Sequence, residues 1–248
     1  MSRYSVSRAV VTGAARGLGA ATAERLAREG LSVAVLDVDE TGAQDTARRI
    51  AAETGAHVVA DGCDVRDRRG VEDAVARAAD ALGGLDTLVG NAGIMRDRSF
   101  HKMTDDEWDD VLAVDLTGVF VTLRAAAPWL RQPGPGRVVL ISSVVAKTGN
   151  FGQMNYIAAK AGVVGLVRSG ASELGRFGTT VNGIRPGFIE TAMTAQMPAE
   201  AYDALMRDNL LGRVGQPQDV AGAVAYLCSD DAAFVTGHVL DVNGGHAL

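Results

Sequence analysis

Residues 9–37 read AVVTGAARGLGAATAERLAREGLSVAVLD. Ala9-Val10-Val11-Thr12 is a short apolar run of the kind found in strands buried on both faces. It ends in Gly13-x-x-x-Gly17-x-Gly19, and the alanine-rich segment 20–29 that follows has helical composition. Residues 31–36 form a second apolar run, which stops at Asp37. Strand, glycine turn, helix and strand predict a parallel βαβ unit. The glycines let the backbone turn sharply and approach a pyrophosphate, whose charge is favoured by the amides and dipole at a helix N-terminus. Gly13, Arg16, Gly17, Leu18 and Gly19 are therefore candidate phosphate-side contacts. The spacing G-x-x-x-G-x-G differs from the dinucleotide fingerprint G-x-G-x-x-G, and a glycine turn alone says little. Asp37 strengthens it, because an acid closing the second strand can hydrogen-bond an adenosine ribose.

The same alternation continues along the chain. Segments 42–53 and 68–82 have helical character and 57–60 extended character, with Cys63-Asp64-Val65 at the carboxyl end of the third strand. There Asp64 faces a ligand, or else it sits in solvent while Asp67 caps the next helix. Residues 85–89 read as a fourth strand running into Asn91-Ala92-Gly93, a turn small enough to lie against a cofactor. Thr104-Asp105-Asp106-Glu107 is a capping box, and Trp108, Val111, Leu112, Leu116, Val119, Phe120 and Leu123 keep helical spacing, predicting one long core helix. Strands at 137–141, 179–184 and 239–242 complete a seven-stranded, mainly parallel sheet. This α/β fold is a single doubly wound domain over residues 1–248. Residues 188–211, rich in methionine, predict a substrate lid over an apolar compound.

The fifth strand delivers Ser143 at its carboxyl end, where doubly wound folds collect their ligands. Ten to twenty residues on, Tyr156 and Lys160 lie four apart in a predicted helix, on one face. A cation beside a phenol lowers a pKa that starts near ~10, so Tyr156 is expected to exchange a proton with substrate oxygen near neutral pH, while Ser143 holds that oxygen. Tyr-x-x-x-Lys by itself is an ordinary solvated helix face. Here it carries one of only three lysines, Lys102, Lys147 and Lys160, among 24 basic residues.

Composition limits the alternatives. The net charge of −6 opposes a nucleic-acid partner, which would need basic patches. Two distant cysteines, Cys63 and Cys228, make neither a disulfide framework nor a metal cluster, and four scattered histidines offer no ligand pair. No signal-peptide core and no apolar run of ~18 residues stand out, so a cytoplasmic location off the membrane is expected.

Taken together, Thr12-Gly13-x-x-x-Gly17-x-Gly19, Asn91-Ala92-Gly93, Ser143 with Tyr156 and Lys160, Pro186-Gly187, and Thr191 in Phe188-Ile189-Glu190-Thr191 resemble the short-chain dehydrogenases/reductases. The resemblance runs from about residue 7 to 245 and is greatest to their 3-oxoacyl-[acyl-carrier-protein] reductase-like branch. It implies a Rossmann-type fold and an oxidoreductase passing a hydride between nicotinamide and a secondary alcohol or ketone. It makes Tyr156 the acid/base, Ser143 the holder of substrate oxygen, and Lys160 the ligand of the nicotinamide ribose. It sets Asp64 and Val65 at adenine, Asn91, Ala92 and Gly93 at the cofactor floor, and Pro186, Gly187, Ile189 and Thr191 near the carboxamide. A homotetramer is expected from the family and from the small residues Ala158, Ala159, Gly162 and Gly165.

Three departures stand out. The family's catalytic asparagine, in a kinked core helix, is Asp115 here; the kink's carbonyl role is expected to survive, and an ionised Asp115 would oppose phenolate formation at Tyr156. Asp37 points to NAD(H), whereas Arg16 would suit the 2′-phosphate of NADP(H). Asp37 is taken to decide, because a carboxylate repels a phosphate while an arginine can turn to solvent or pair with that acid. Positions of carrier-protein docking arginines are Gly134 and Phe177. The expected substrate is therefore a β-hydroxy/β-keto acyl compound, with an NADP(H)-dependent carrier-protein reductase or a non-catalytic dinucleotide-binding regulator as the alternatives.

Overall fold

Neighbouring residues of the central strands serve opposite cores. Val10, Leu88 and Val138 belong to one apolar cluster, and Val11, Val89 and Val139 to the other. That is the side-chain alternation of a strand covered on both faces. The computed structural model describes residues 3–190 and 209–246. Among the described residues the strands are β1 Arg8–Thr12, β2 Ser32–Asp37, β3 Val58–Gly62, β4 Thr87–Gly90, β5 Gly136–Ile141, β6 Thr179–Pro186 and β7 Val239–Val242. They form a 7-stranded sheet in the order β3-β2-β1-β4-β5-β6-β7. Every neighbouring pair is parallel, so the expected mainly parallel sheet is wholly parallel.

Helices α1 Gly17–Arg28 and α2 Glu40–Thr54, with the last helix Pro217–Cys228, cover the face that holds Val11. Helix α3 Arg68–Leu82 covers the other face. The chain steps outward from β1 to β2 and β3, then returns to place β4 on the other side of β1. This reversal is a topological switch point, the crevice where open α/β sheets bind ligands at their carboxyl ends.

The expected single long helix is three pieces. Thr104 and Glu107 form the reciprocal capping box that starts α4 Asp105–Leu112; a π-helical turn, Ala113–Gly118, follows, and then α5 Val119–Leu130. Such turns add a residue to the helical ladder and often mark functional positions. The whole run Asp105–Leu130 is long and apolar enough to cross a membrane by composition, contrary to the expectation that no such run exists. In the fold, α5 packs on α3 and α4 packs on α7 Met154–Leu174, so half of its apolar window is buried. A short helix α6, Val145–Thr148, lies between β5 and α7. Along α7, Gly162 serves internal packing, since a Cβ there would meet Leu116 Cδ1 at 2.8 Å. Ala158 and Gly165 stay exposed.

Candidate active site

The carboxyl ends of the strands enclose a cavity of about 670 Å³. The turn after β1 forms one wall. Gly13 has φ of 63°, and a Cβ there would lie 2.7 Å from Ala92 Cα. Asn91, at the end of β4, fastens this turn: its Nδ2 donates to the carbonyls of Thr12 at 3.0 Å and Gly13 at 2.9 Å. The Thr12 hydroxyl in turn accepts from the Asn91 amide at 3.1 Å. Gly17, also at positive φ, borders the cavity, and a Cβ added there would meet nothing within 4 Å.

Asp39, Asp67 and Thr104 cap α2, α3 and α4 with their side chains, but no side chain caps α1. Open space beside a glycine and uncapped helix amides fit a pyrophosphate, which such amides bind directly. Leu18 lines the same wall. Gly19 does not. It sits behind the turn, where a Cβ would fall 2.2 Å from the Gly13 carbonyl oxygen, so it permits helix and strand to approach rather than touching a ligand.

Asp37 borders the cavity at the end of β2, its carboxylate accepting the amides of Ala15 at 2.9 Å and Asp39 at 3.0 Å. Arg16 lies at the same lip, turned largely to solvent as one of its two expected courses, with Asp39 at 3.9 Å. Asp64 is half-buried. It lines the cavity together with Val65, while Asp67 caps α3. Arg66 grips the Asp64 carboxylate at 2.7 Å and holds it below the usual carboxylate range. Ala92, Gly93, Pro186, Gly187 and Ile189 also border the cavity. Gly187 is needed where two segments touch, as a Cβ there would lie 2.7 Å from Asn243 Cα. Thr191 and most of the expected lid, residues 191–208, lie outside the described residues.

Ser143, Tyr156 and Lys160 share one end of this cavity. Ser143 follows β5, and α7 starts just before Tyr156, whose amide is held by the buried Asn155 side chain at 2.8 Å. The other end of Asn155 donates to the carbonyls of Arg96 and Glu107, fixing the start of α7 against α4. Ser143 acts on the Tyr156 phenol in the lowering direction. Of the three lysines only Lys160 is buried. Its Nζ lies 5.5 Å from the centre of the Tyr156 ring and donates to the Ile141 carbonyl at 3.2 Å.

Asp115 does not line the cavity. It stands behind Gly93, 0% exposed, with Oδ2 3.1 Å from Lys160 Nζ and Oδ1 accepting the Ile94 amide at 2.8 Å. Oδ2 has no hydrogen-bond partner, so its contact with the ammonium is a Coulombic pair out of hydrogen-bond alignment.

These charges overturn one expectation. Burial is the largest influence on the Tyr156 phenol and raises it. Lys160 lowers it, as anticipated, but Asp115 raises it again, and the net position is above the ordinary value of 10. Burial alone would lower the Lys160 ammonium, yet Asp115 and then Tyr156 outweigh burial and raise it.

Sequence reasoning passed over Gln153, which is 7% exposed and lines the cavity. Its amide donates to Asp97 at 2.8 Å and accepts from Asn150 at 2.9 Å. The available signal was a polar residue three positions before the tyrosine, at the mouth of a helix. Ile94 and Met95, which line the same region, follow Gly93 without any distinguishing pattern. Cys63 and Cys228 are buried free thiols, pushed by burial up to about 11 and about 12.

The family model described as enoyl-(acyl carrier protein) reductase matches residues 13–247. The chain is 41% identical over 237 residues to the 3-oxoacyl-[acyl-carrier-protein] reductase FabG of Vibrio cholerae, covering 96% of each. It is 39% identical over 245 residues to a (3R)-3-hydroxyacyl-CoA dehydrogenase of Canis lupus familiaris, covering 96% of this chain and 95% of that protein. A solved structure described as a short-chain alcohol dehydrogenase from Sinorhizobium meliloti superposes with a TM-score of 0.93 at 35% identity, covering 97% of this chain and 96% of that one. With a wholly parallel sheet, a cavity at its switch point and Ser143, Tyr156 and Lys160 gathered there, the chain belongs to the short-chain dehydrogenase/reductase family, in its 3-oxoacyl-[acyl-carrier-protein] reductase-like branch, and is an NAD(P)-dependent oxidoreductase acting on CH–OH groups.

Proposed function

We propose that this enzyme uses NAD(H) and acts on a β-hydroxy/β-keto acyl compound, with Tyr156 as its acid/base. The observation that carries the reading is one shared cavity, with the glycine turn and Asp37 at one end and Ser143, Tyr156 and Lys160 at the other. Nicotinamide, when bound, supplies or accepts the hydride. The residues of the chain do the rest. Ser143 holds the substrate oxygen, Tyr156 gives that oxygen a proton or takes one from it, and the Lys160 ammonium stabilises the charge left on the phenol. Lys160 also reaches the nicotinamide ribose, while Asn91 and Gly93 form the floor beneath the cofactor.

Support for NAD(H) comes from the adenosine end. Two amides pin the Asp37 carboxylate in place, and Arg16 is drawn to Asp39. A phosphate entering beside Asp37 meets a like charge. The competing NADP(H) reading rests on Arg16, whose side chain is 81% exposed at the cavity lip and able to turn. Support for an acyl substrate comes from the apolar side chains of Ile94, Met95 and Val144 in the cavity wall, and from the named activities of the relatives. We further propose one domain throughout and a cytoplasmic homotetramer, with the small exposed residues Ala158 and Gly165 of α7 available for close packing.

The test is turnover of β-keto thioesters of coenzyme A or pantetheine, with simple ketones for comparison, followed by absorbance of the reduced nicotinamide. Higher kcat/KM with NADH than with NADPH, and with thioesters than with simple ketones, is expected. A preference for NADPH overturns the cofactor assignment. Binding of NADH without turnover of any carbonyl favours a non-catalytic regulator.

A further inference from the structure

Among the described residues Asp115 is the one fully buried carboxylate, and it stands behind the proton-handling end of the cavity. Its place is built by three neighbours. The π-helical turn Ala113–Gly118 carries it, the Ile94 amide holds Oδ1 at 2.8 Å, and Gly93 leaves the room it occupies. A Cβ at position 93 would lie 2.7 Å from Asp115 Oδ2 and 3.3 Å from Lys160 Nζ. The carboxylate and ammonium, 0% and 3% exposed, therefore face each other directly across that glycine. In so dry a place the Coulomb interaction is screened little, and whatever charge the pair leaves over is felt by the nearest titratable group. That group is Tyr156, one helical turn before Lys160 and facing it.

We propose that Asp115 is a positioning residue which, by pairing with Lys160 across Gly93, keeps Tyr156 in its proton-bearing form and tunes this site toward giving a proton to a carbonyl. The inference rests on Tyr156 being the acid/base, as proposed above. Lys160 alone would draw the phenol toward phenolate. Asp115 offsets part of that pull, and Asp97 acts in the same sense. Ser143 opposes both. In the reductive direction a hydride reaches the carbonyl carbon, the C=O π pair moves to oxygen, and the Tyr156 O–H bond breaks to protonate that oxygen. The resulting phenolate recovers its proton from solvent. In the oxidative direction the phenolate must form first, so that direction is held to alkaline pH.

The sign of the pH dependence follows. Reduction needs the phenol, and so stays level through neutral pH and falls only as pH rises past the raised Tyr156 value. Oxidation needs the phenolate and climbs toward the same point, about tenfold for each unit of pH below it. Asp115→Asn preserves shape and the oxygen that accepts the Ile94 amide but removes the charge. It is expected to move both limbs to lower pH and to raise oxidation near neutral pH. Removing the carboxylate also loosens the hold on the Lys160 proton; if that effect dominated, the limbs would move to higher pH, against the proposal.

Two titrations are needed. One follows kcat/KM against pH in each direction for the wild type and Asp115→Asn. The other follows phenolate absorbance of the protein without cofactor, as the difference between wild type and Tyr156→Phe, repeated in the Asp115→Asn background. The second does not depend on any substrate, so it stands apart from failure of the functional reading. The wild-type difference titration is expected to fall above 10, and to move down in Asp115→Asn, with a smaller move in Asp97→Asn. A wild-type midpoint below 10, or a midpoint unmoved or raised by Asp115→Asn in a folded protein, overturns the proposal. If Asp115→Asn does not fold, the wild-type midpoint and the Asp97→Asn shift decide.

Discussion

The two ends of the cavity are built by different means. At the adenosine end, backbone does the work. Glycines at positive φ shape the turn, Asn91 staples it to β4, and Asp37 is fixed by two main-chain amides near solvent. At the proton-handling end, buried charges do the work, with Lys160 and Asp115 paired out of reach of water and Tyr156 beside them at the cavity wall. The first end suits a ligand that is gripped by geometry. The second suits chemistry whose protonation states must be set before substrate arrives. Substitutions at the two ends should therefore fail differently, one in affinity and selectivity, the other in stability and pH response.

The largest expected effect is at the buried pair. Lys160→Ala leaves the Asp115 carboxylate without its counter-charge, and breaking a buried pair costs about 3–5 kcal/mol. Equilibrium urea unfolding should show that loss, and the double variant Lys160→Met with Asp115→Leu should recover part of it, because two apolar groups leave no charge behind. If Lys160→Ala is as stable as wild type, the pair is not the structural unit described here. A smaller effect is expected at the other end. Asp37→Ala should leave the fold intact, weaken NADH and narrow the preference over NADPH by at least about tenfold, roughly 1.4 kcal/mol. Arg16→Ala in that background should then weaken NADPH. Kinetics with both cofactors check this, and an unchanged preference in Asp37→Ala would place the discrimination elsewhere.

The same contrast explains what the sequence made legible. The sheet could be read because strands such as β5 are buried from end to end and announce themselves as apolar runs, and because glycines mark the turns that backbone geometry requires. Ser143, Tyr156 and Lys160 could be placed because strand ends and helical spacing bring them to one crevice. Interactions that depend on depth were harder. Nothing in Val114-Asp115-Leu116 says that a π-helical turn will aim the acid behind Gly93, or that Gly19 will pack beneath the turn while Gly17 faces the cavity. The phenol was expected to be lowered because the lysine is visible in the spacing, while the burial that outweighs it is visible only in three dimensions. Gln153 was missed for a related reason, since its acceptor Asp97 lies far away in the chain and meets it only in the fold.

The central claim is that Tyr156 moves the proton while the rest of the site holds cofactor and substrate. Tyr156→Phe removes one oxygen and nothing else from that arrangement. Steady-state turnover should be measured for wild type and Tyr156→Phe on the same carbonyl with saturating NADH, alongside NADH titration by fluorescence. The account predicts NADH binding close to that of wild type and kcat lower by at least ~10²-fold, the low end for loss of a general acid. Turnover near that of wild type with unchanged NADH binding would contradict it.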